Sequence, residues 1–301
     1  MPKETDHICV CVCTYKRPQC LQRLLTELAG QDTHGLFTFS IVVADNDELQ
    51  SAKAAVLDFA AQRSIPITYC VEPRQGIALA RNKAIENASG DFIALIDDDE
   101  FPTSHWLLTL FKTCEEHQVD GVLGPVKRHF DGEPPNWIVK SDFYERPVNR
   151  TGSIVKWWEA RSGNVLLNKK VFEAGEHPFR PQFRVGEDQD FFRRMIEKGH
   201  KFIWSADAVV YEAISPARWK ATYMLRKALL RGASARLQPS FGAISLGKSL
   251  VAAVVYTVAL PFAMMLGYHR FLTLLVKLFD HLGKLLAFAG INPIKDPYVT
   301  D

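Results

Sequence analysis

Over roughly its first hundred residues the chain alternates short β-rich runs with helical patterns, and that alternation limits it to very few folds. Ile8 to Thr14 reads as a strand, and Pro18 opens a helix with Leu21, Leu24, Leu25 and Leu28 on one face. Phe39 to Ala44 is a run rich in β-branched residues and reads as a second strand, Ala52 to Ala61 is helical, and Ile67 to Val71 is a third strand. Gly76 leads into a helix from Ile77 to Asn87, closed by Ser89-Gly90, and Phe92 to Ile96 is a fourth strand. Strand, helix and strand in succession predict right-handed βαβ units, so the expected fold class is α/β: a Rossmann-like, mostly parallel sheet with helices on both faces. After residue 125 the pattern becomes mixed. Gly132 to Trp137 is rich in Pro and Trp and reads as a mobile lid or a long connection, a helix is expected over Asp188 to Lys198, and Phe202 to Trp204 reads as a strand.

Open sheets of this kind bind ligands at the carboxyl ends of their strands, and the polar clusters of this sequence fall there. Thr14-Tyr15-Lys16-Arg17 follows the first strand, Asp45-Asn46-Asp47 the second, and Asp97-Asp98-Asp99-Glu100 the fourth. Consecutive carboxylates raise one another's pKa unless a cation neutralises them, and oxygen donors of this kind suit Mg²⁺ or Mn²⁺; a solvated acidic turn is the plainer reading, and Ser104 is placed to cap the next helix without them. Gly76 to Asn82 puts a glycine at a helix start with Arg81 one turn in, where it can reach a phosphate or a base. Val185 to Phe192 sets Glu187 and Asp188 at another helix start, either as dipole-favourable caps or as a general base.

The net charge of +2 conceals a strong asymmetry. No acid lies between Glu212 and Asp280 while nine Lys or Arg do, leaving residues 1 to 212 with a balance of −6. A basic rear implies an anionic partner, a lipid surface or a phosphorylated substrate, and no nucleic acid is expected. Ser249 to Gly267 is a 19-residue uncharged run interrupted by Pro261, and from Phe271 to Ile291 the residues Lys277, Asp280, His281 and Lys284 form one polar stripe on an apolar helix. These segments are expected to attach to an anionic cytoplasmic leaflet, the plainer reading being a pair that covers a core or a dimer seam. Six cysteines without a signal peptide point to the reducing cytosol, and the alternating Cys9, Cys11 and Cys13 read as small core residues rather than metal ligands.

In their order and spacing these runs resemble the family-two glycosyltransferases of the GT-A fold, and most of all the branch containing glucosyltransferases of bacterial exopolysaccharide (succinoglycan) assembly. The resemblance spans about residues 7 to 232 through Cys13 to Pro18, Val43 to Asp47, Gly76 to Asn82, Asp97 to Glu100, Ser162-Gly163-Asn164, Gly186-Glu187-Asp188 and Arg231-Gly232. It implies inverting transfer of a sugar from a nucleotide-sugar donor; the expected donor is a UDP-sugar, and the basic, apolar rear adds the expectation of a polyprenyl-diphosphate-linked glycan acceptor at the cytoplasmic face of the inner membrane. By that resemblance Thr14, Tyr15, Asp45 and Arg81 hold the nucleoside, with Arg17 and Asn164 also on the nucleotide-sugar; Asp97 and Asp98 lie on the ribose side; Asp99 with Asp97 holds Mg²⁺ or Mn²⁺; and Asp188, or else Glu187, is the catalytic base. Processive synthases carry Gln-x-x-Arg-Trp where this chain has Ser215-Pro216-Ala217-Arg218-Trp219, which favours a single addition. The expected domains are a catalytic domain over 1–215, with a nucleotide-sugar half to about 125 and an acceptor half from 126, and a basic, apolar, membrane-associating helical region over 216–301. A sugar nucleotidyltransferase and a membrane-bound scaffold with a degenerate site are the alternatives, and the oligomeric state is open.

Overall fold

The computed structural model describes residues 5–172, 177–239 and 241–294; both ends of the expected domains, 1–4 and 295–301, lie outside them. By its internal contacts the chain forms two compact units. The first comprises Met1–His129, Arg146–Pro181 and Glu187–Ala213; the second comprises Phe130–Glu145, Gln182–Gly186 and Ile214–Asp301.

In the first unit the expected rhythm is realised. Strand β1 (Asp6–Thr14) leads through α1 (Pro18–Ala29) to β2 (Phe37–Asp45), and α2 (Lys53–Gln62) to β3 (Ile67–Val71). Then α3 (Ile77–Glu86) leads to β4 (Phe92–Asp97), the short β5 (Glu100–Pro102) and α4 (Trp106–His117). After β6 (Gly121–Leu123) and β7 (Val126–Phe130), a one-turn helix α5 (Asn136–Val139) belongs to the second unit. The first unit resumes with β8 (Asn164–Asn168), α6 (Glu187–Glu197), β9 (Phe202–Trp204) and β10 (Val210–Ile214).

The main sheet has the order β3-β2-β1-β4-β8-β6-β9, with β8 the reversed strand, antiparallel to both β4 and β6. A smaller sheet, β5-β10-β7, was not legible in the sequence because its strands are short and carry no clean alternation. Two cores cover the two faces of the main sheet. Ile8, Val10 and Val12 point into one, with the four leucines of α1 and with Val56, Phe59, Trp106 and Phe111. Cys9 and Cys11 point into the other, with Ala78, Ala84, Phe191 and Phe192, so the alternating cysteines fill core space. The α4 cap differs from expectation. His105 is the N-cap residue and no side chain caps the helix; the Ser104 hydroxyl instead lies 3.0 Å from His105 Nδ1.

The turn after β6 is held by Asn164. Its Nδ2 donates to the carbonyls of Pro125 (3.1 Å) and Ala208 (2.7 Å), and its Oδ1 accepts from the Trp106 indole N–H (2.7 Å). Gly124 must be glycine beside it, because a Cβ there would lie 2.1 Å from the Ala208 carbonyl oxygen.

In the second unit, α7 (Ala221–Ser234), α8 (Ala243–Met265) and α9 (Tyr268–Phe288) pack as a helical group, with α9 lying against both others. Gly232 and Gly283 let α7 and α9 approach closely, since a Cβ at Gly232 would fall 2.2 Å from the Asp280 carbonyl oxygen. The polar stripe on α9 is partly spent inside this group. Asp280 accepts from Arg231 Nε and Nη2 (3.1 Å each), and His281 Nδ1 lies 3.1 Å from Ser249 Oγ. Helix α8, with Pro261 inside it, is long and apolar enough to cross a membrane by length and composition, and of its residues only Ser249 and Ala263 are buried.

Asn164→Ala leaves the buried Trp106 indole donor and the Ala208 carbonyl without the partner that Asn164 gives them, while the Pro125 carbonyl keeps the Val210 N–H, so it should cost about 2 kcal/mol. Chemical denaturation measures this; an unchanged midpoint would contradict the role given to Asn164.

Candidate functional site

Register brings the three polar strand ends level. Thr14 pairs with Asp45 across β1 and β2, and Cys13 pairs with Asp97 across β1 and β4. The polar residues after these strands therefore share one edge of the sheet.

On that edge the Thr14 hydroxyl donates to Asp98 Oδ2 (2.7 Å). Arg17 Nη1 donates to Asp98 Oδ1 (3.3 Å) and to Asp99 Oδ2 (3.2 Å), joining adjacent carboxylates through one cation. Burial pushes the Asp98 carboxyl up to about 7, against the pull of Arg17 and with the charge of Asp99 adding to it. Burial also raises Glu100 well above the carboxylate range, and its Oε2 accepts the Asp97 backbone N–H (3.3 Å). Gly163 closes against this group, since a Cβ there would fall 2.5 Å from Glu100 Oε1 and 3.0 Å from Asp97 Oδ2. This is an excess of negative oxygen at a strand end, and such a donor set fits a hard divalent cation.

From the opposite side, Arg81 of α3 reaches across. Its Nη2 donates to Asp97 Oδ1 (2.9 Å) and its Nη1 to Glu187 Oε1 at the start of α6. Arg81 is 6% exposed; burial works against its charge, yet Asp97 and Glu187 outweigh that and lift its pKa above the ordinary value. Glu187 is also 6% exposed, and burial raises its carboxyl to about 7 despite Arg81. Asp188, next in sequence, is only partly buried, and its Oδ1 accepts the Gln189 N–H (2.7 Å). Asp190 is fully buried among Arg193, Arg194 and Arg180 and serves the helix.

Two residues expected on the nucleotide-sugar carry structural duties. The amide of Asn164 is consumed in the core, so its side chain does not join the strand-end cluster. Asp45 is fully buried, accepting the backbone N–H groups of Asp47 (3.1 Å) and Ala52 (2.8 Å) and the Tyr69 hydroxyl (2.9 Å); it organises the turn after β2. Tyr15 does lie at the edge, its hydroxyl accepting from Gln75 Nε2 beside Gly76. Sequence reading missed Asn46, whose Oδ1 accepts from Gly76 N–H (2.8 Å) while its Nδ2 donates to the carbonyls of Glu72 (2.7 Å) and Arg74 (2.8 Å). This amide fixes the glycine turn, where Gly76 has φ +159°, that launches the Arg81 helix. Its position between two strand-end aspartates was the available signal.

A separate group, Asp32, His34 and His105, has ligand atoms within 4.8 Å of one another, but all three are exposed, at the end of α1 and before α4. It contains none of the strand-end acids.

Residues 9–174 match the model of glycosyl transferase family 2, and the chain belongs to that family. It is 33% identical over 235 residues to the succinoglycan biosynthesis protein ExoM of Rhizobium meliloti, covering 77% of this chain and 75% of that one. Among solved structures, it is similar to the mannosyltransferase PcManGT of Pyrobaculum calidifontis, in complex with GDP-Man and Mn²⁺ (TM-score 0.63, 18% identity, 95% of this chain and 88% of that one). It is also similar to residues 1–349 of S. aureus TarS with UDP (TM-score 0.54, 17% identity, 96% and 93%). The fold is thus of the GT-A type and the protein a glycosyltransferase, which sets aside the nucleotidyltransferase and scaffold alternatives.

The Glu187 carboxyl holds its proton more tightly in the fold than in the unfolded chain, whose ordinary value is 4.5. Stability from this group therefore declines as pH rises from about 4.5 through about 7. Glu187→Gln should flatten the fall in Tm across that window, and thermal melts of both proteins measure it; parallel slopes would contradict the assignment.

Proposed function

We propose that this chain transfers a single sugar from a nucleotide-sugar, a UDP-sugar above all, to a polyprenyl-diphosphate-linked glycan, with inversion, at the cytoplasmic face of a bacterial inner membrane. The observation that carries this reading is the Arg81 guanidinium, which joins the strand-end acid Asp97 to the α6 acid Glu187 and so brings two sets of carboxylates to one cation. The GDP-Man complex of PcManGT and the UDP complex of TarS support the donor, and the similarity to ExoM, a succinoglycan biosynthesis protein, supports polysaccharide assembly as the setting.

In this reading residues 1–215 are the catalytic domain, the nucleotide-sugar half to about 125 and the acceptor half beyond it. Thr14, Tyr15, Arg17 and Arg81 receive the nucleotide, Asp97 and Asp98 lie on its ribose side, and Asp99 with Asp97 would hold Mg²⁺ or Mn²⁺. When bound, that ion supplies charge that offsets the negative charge building on the leaving diphosphate. Asp188 takes the proton of the acceptor hydroxyl; the acceptor oxygen forms its bond to the anomeric carbon from the opposite face, and the nucleoside diphosphate leaves with the electron pair of the broken bond. The choice of Asp188 over Glu187 rests on access: Glu187 is buried and paired with Arg81, whereas Asp188 is partly exposed.

Residues 216–301 hold the enzyme on the membrane. Helix α8 presents Val251, Val254, Val255, Val258 and Phe262 to solvent, each at least half exposed. Its 23 residues measure about 35 Å at 1.5 Å per residue, enough to cross a hydrocarbon core of about 30 Å or to lie along its surface. The basic residues nearby are fewer in effect than the sequence count implies, because Arg218 is buried and Arg231 pairs with Asp280.

Asp99→Ala should lose Mn²⁺-dependent UDP binding and turnover together, whereas Asp188→Asn should bind UDP normally and transfer about 10²- to 10⁴-fold more slowly. Calorimetry and product assays separate the two; full activity of Asp99→Ala in EDTA would refute the metal assignment. For the membrane, the full chain should float with anionic liposomes, and Val251→Asp with Val255→Asp should abolish flotation while leaving the melting curve in place. Equal flotation of this variant would refute the role of α8.

A further inference from the structure

Beyond β8 on the main sheet, the first unit holds a cavity of about 200 Å³ that the reaction above does not use. It is lined by Trp158, Trp204, Glu159 and Arg161, with the Leu123–Val126 turn as its floor. Trp204 is 5% exposed, and its indole N–H is buried without a hydrogen-bond partner. A buried donor of this kind costs free energy until a ligand or water meets it. Trp158 is the opposite: 52% exposed, with Lys156 Nζ 5.7 Å from its ring centroid.

We infer that this cavity is a subsite for one neutral pyranose ring of the acceptor glycan, a ring other than the one that reacts. The inference rests on the glycosyltransferase reading above and extends it to the acceptor. Position supports it first. Trp204 pairs with Leu123, Leu123 with Val165, and Ile96 with Asn164, so the cavity follows the same sheet edge that ends in Asp97. Strands spaced by about 4.8 Å put Trp204, three strands over, about 14 Å from β4, far enough from the strand-end acids to take a ring other than the one that reacts.

Chemistry supports it second. An exposed indole face and a few polar groups match a sugar ring, which offers C–H groups on one face and hydroxyls at its rim. The Trp204 N–H then meets a ring or hydroxyl oxygen. Size limits the occupant, because pockets for drug-sized ligands run to about 300–1,000 Å³ and this one is smaller. The charges on the wall offset one another, which favours a neutral sugar over an anionic one: Arg146 is paired with Glu212 (2.7 Å), and the Arg161 guanidinium shares the wall with the Glu159 carboxylate.

The test uses the full chain with methyl β-glucopyranoside, methyl β-galactopyranoside and methyl β-glucuronide as probes in saturation-transfer NMR, and UDP with Mn²⁺ in calorimetry. A neutral glycoside should bind, Trp204→Phe should weaken it about three- to tenfold by removing one hydrogen bond, and Trp158→Ala should weaken it by a similar factor. Neither variant should change UDP affinity. Trp158 is exposed, so its removal keeps the test sound even where the buried substitution disturbs packing. UDP binding without any glycoside signal, a glycoside signal indifferent to both variants, or a preference for the glucuronide would each overturn the subsite. Glycoside binding without UDP binding would support the subsite and overturn the donor reading instead.

Discussion

A guanidinium buried in a protein interior is tolerated only where acids surround it, and Arg81 meets that condition with Asp97 on one side and Glu187 on the other. These acids are 90 residues apart in the chain, one ending β4 and the other opening α6. The arginine therefore does more than stand at a helix start. It fixes the distance between the carboxylates that the nucleotide would meet and the helix turn that presents Asp188. Removing Arg81 leaves Glu187 buried without its counterpart, and the neighbouring amides hold the arginine's helix in place: Asn46 secures the glycine turn ahead of α3, and Asn82 exchanges hydrogen bonds with the Phe179 backbone (2.7 and 2.9 Å) at its side.

Crowding of negative charge is the second constraint. Asp98 and Glu100 are both pushed up by burial, Arg17 spans Asp98 and Asp99, and Gly163 is obliged to be glycine by the oxygens it touches. Such a cluster stores electrostatic free energy that a cation and a diphosphate arriving together would relieve. The same accounting separates this edge from the exposed Asp32, His34 and His105 group, which has solvent to screen it.

What the sequence conveyed follows from what is local. The β-rich runs and the leucine face of α1 depend on neighbours within a few residues, and they are found within two residues of expectation. The polar clusters at strand ends were legible because the fold class dictates where strands end. Pairing across long separations was not. Nothing local distinguishes Asp45, which organises a turn, from Asp98, which lies at the edge; both are acids after strands. Asn164 opens a strand beside the site, yet its amide is spent on Trp106, Pro125 and Ala208. Counting basic residues likewise could not show which of them face outward, because only the fold reveals that Arg218 is buried and that Arg231 is answered by Asp280. The reversed β8 and the small second sheet are products of tertiary pairing that strand propensity does not encode.

The central claim is that one base and one metal-shielded leaving group act from opposite faces of a single sugar, in one displacement. The anomeric configuration of the first product reads this directly. With a nucleotide-sugar whose donor linkage is α, proton NMR of the product should show a β-glycosidic bond from the earliest turnover. An α-linked product would mean retention, and the assignment of Asp188 as base in a single in-line displacement would be contradicted.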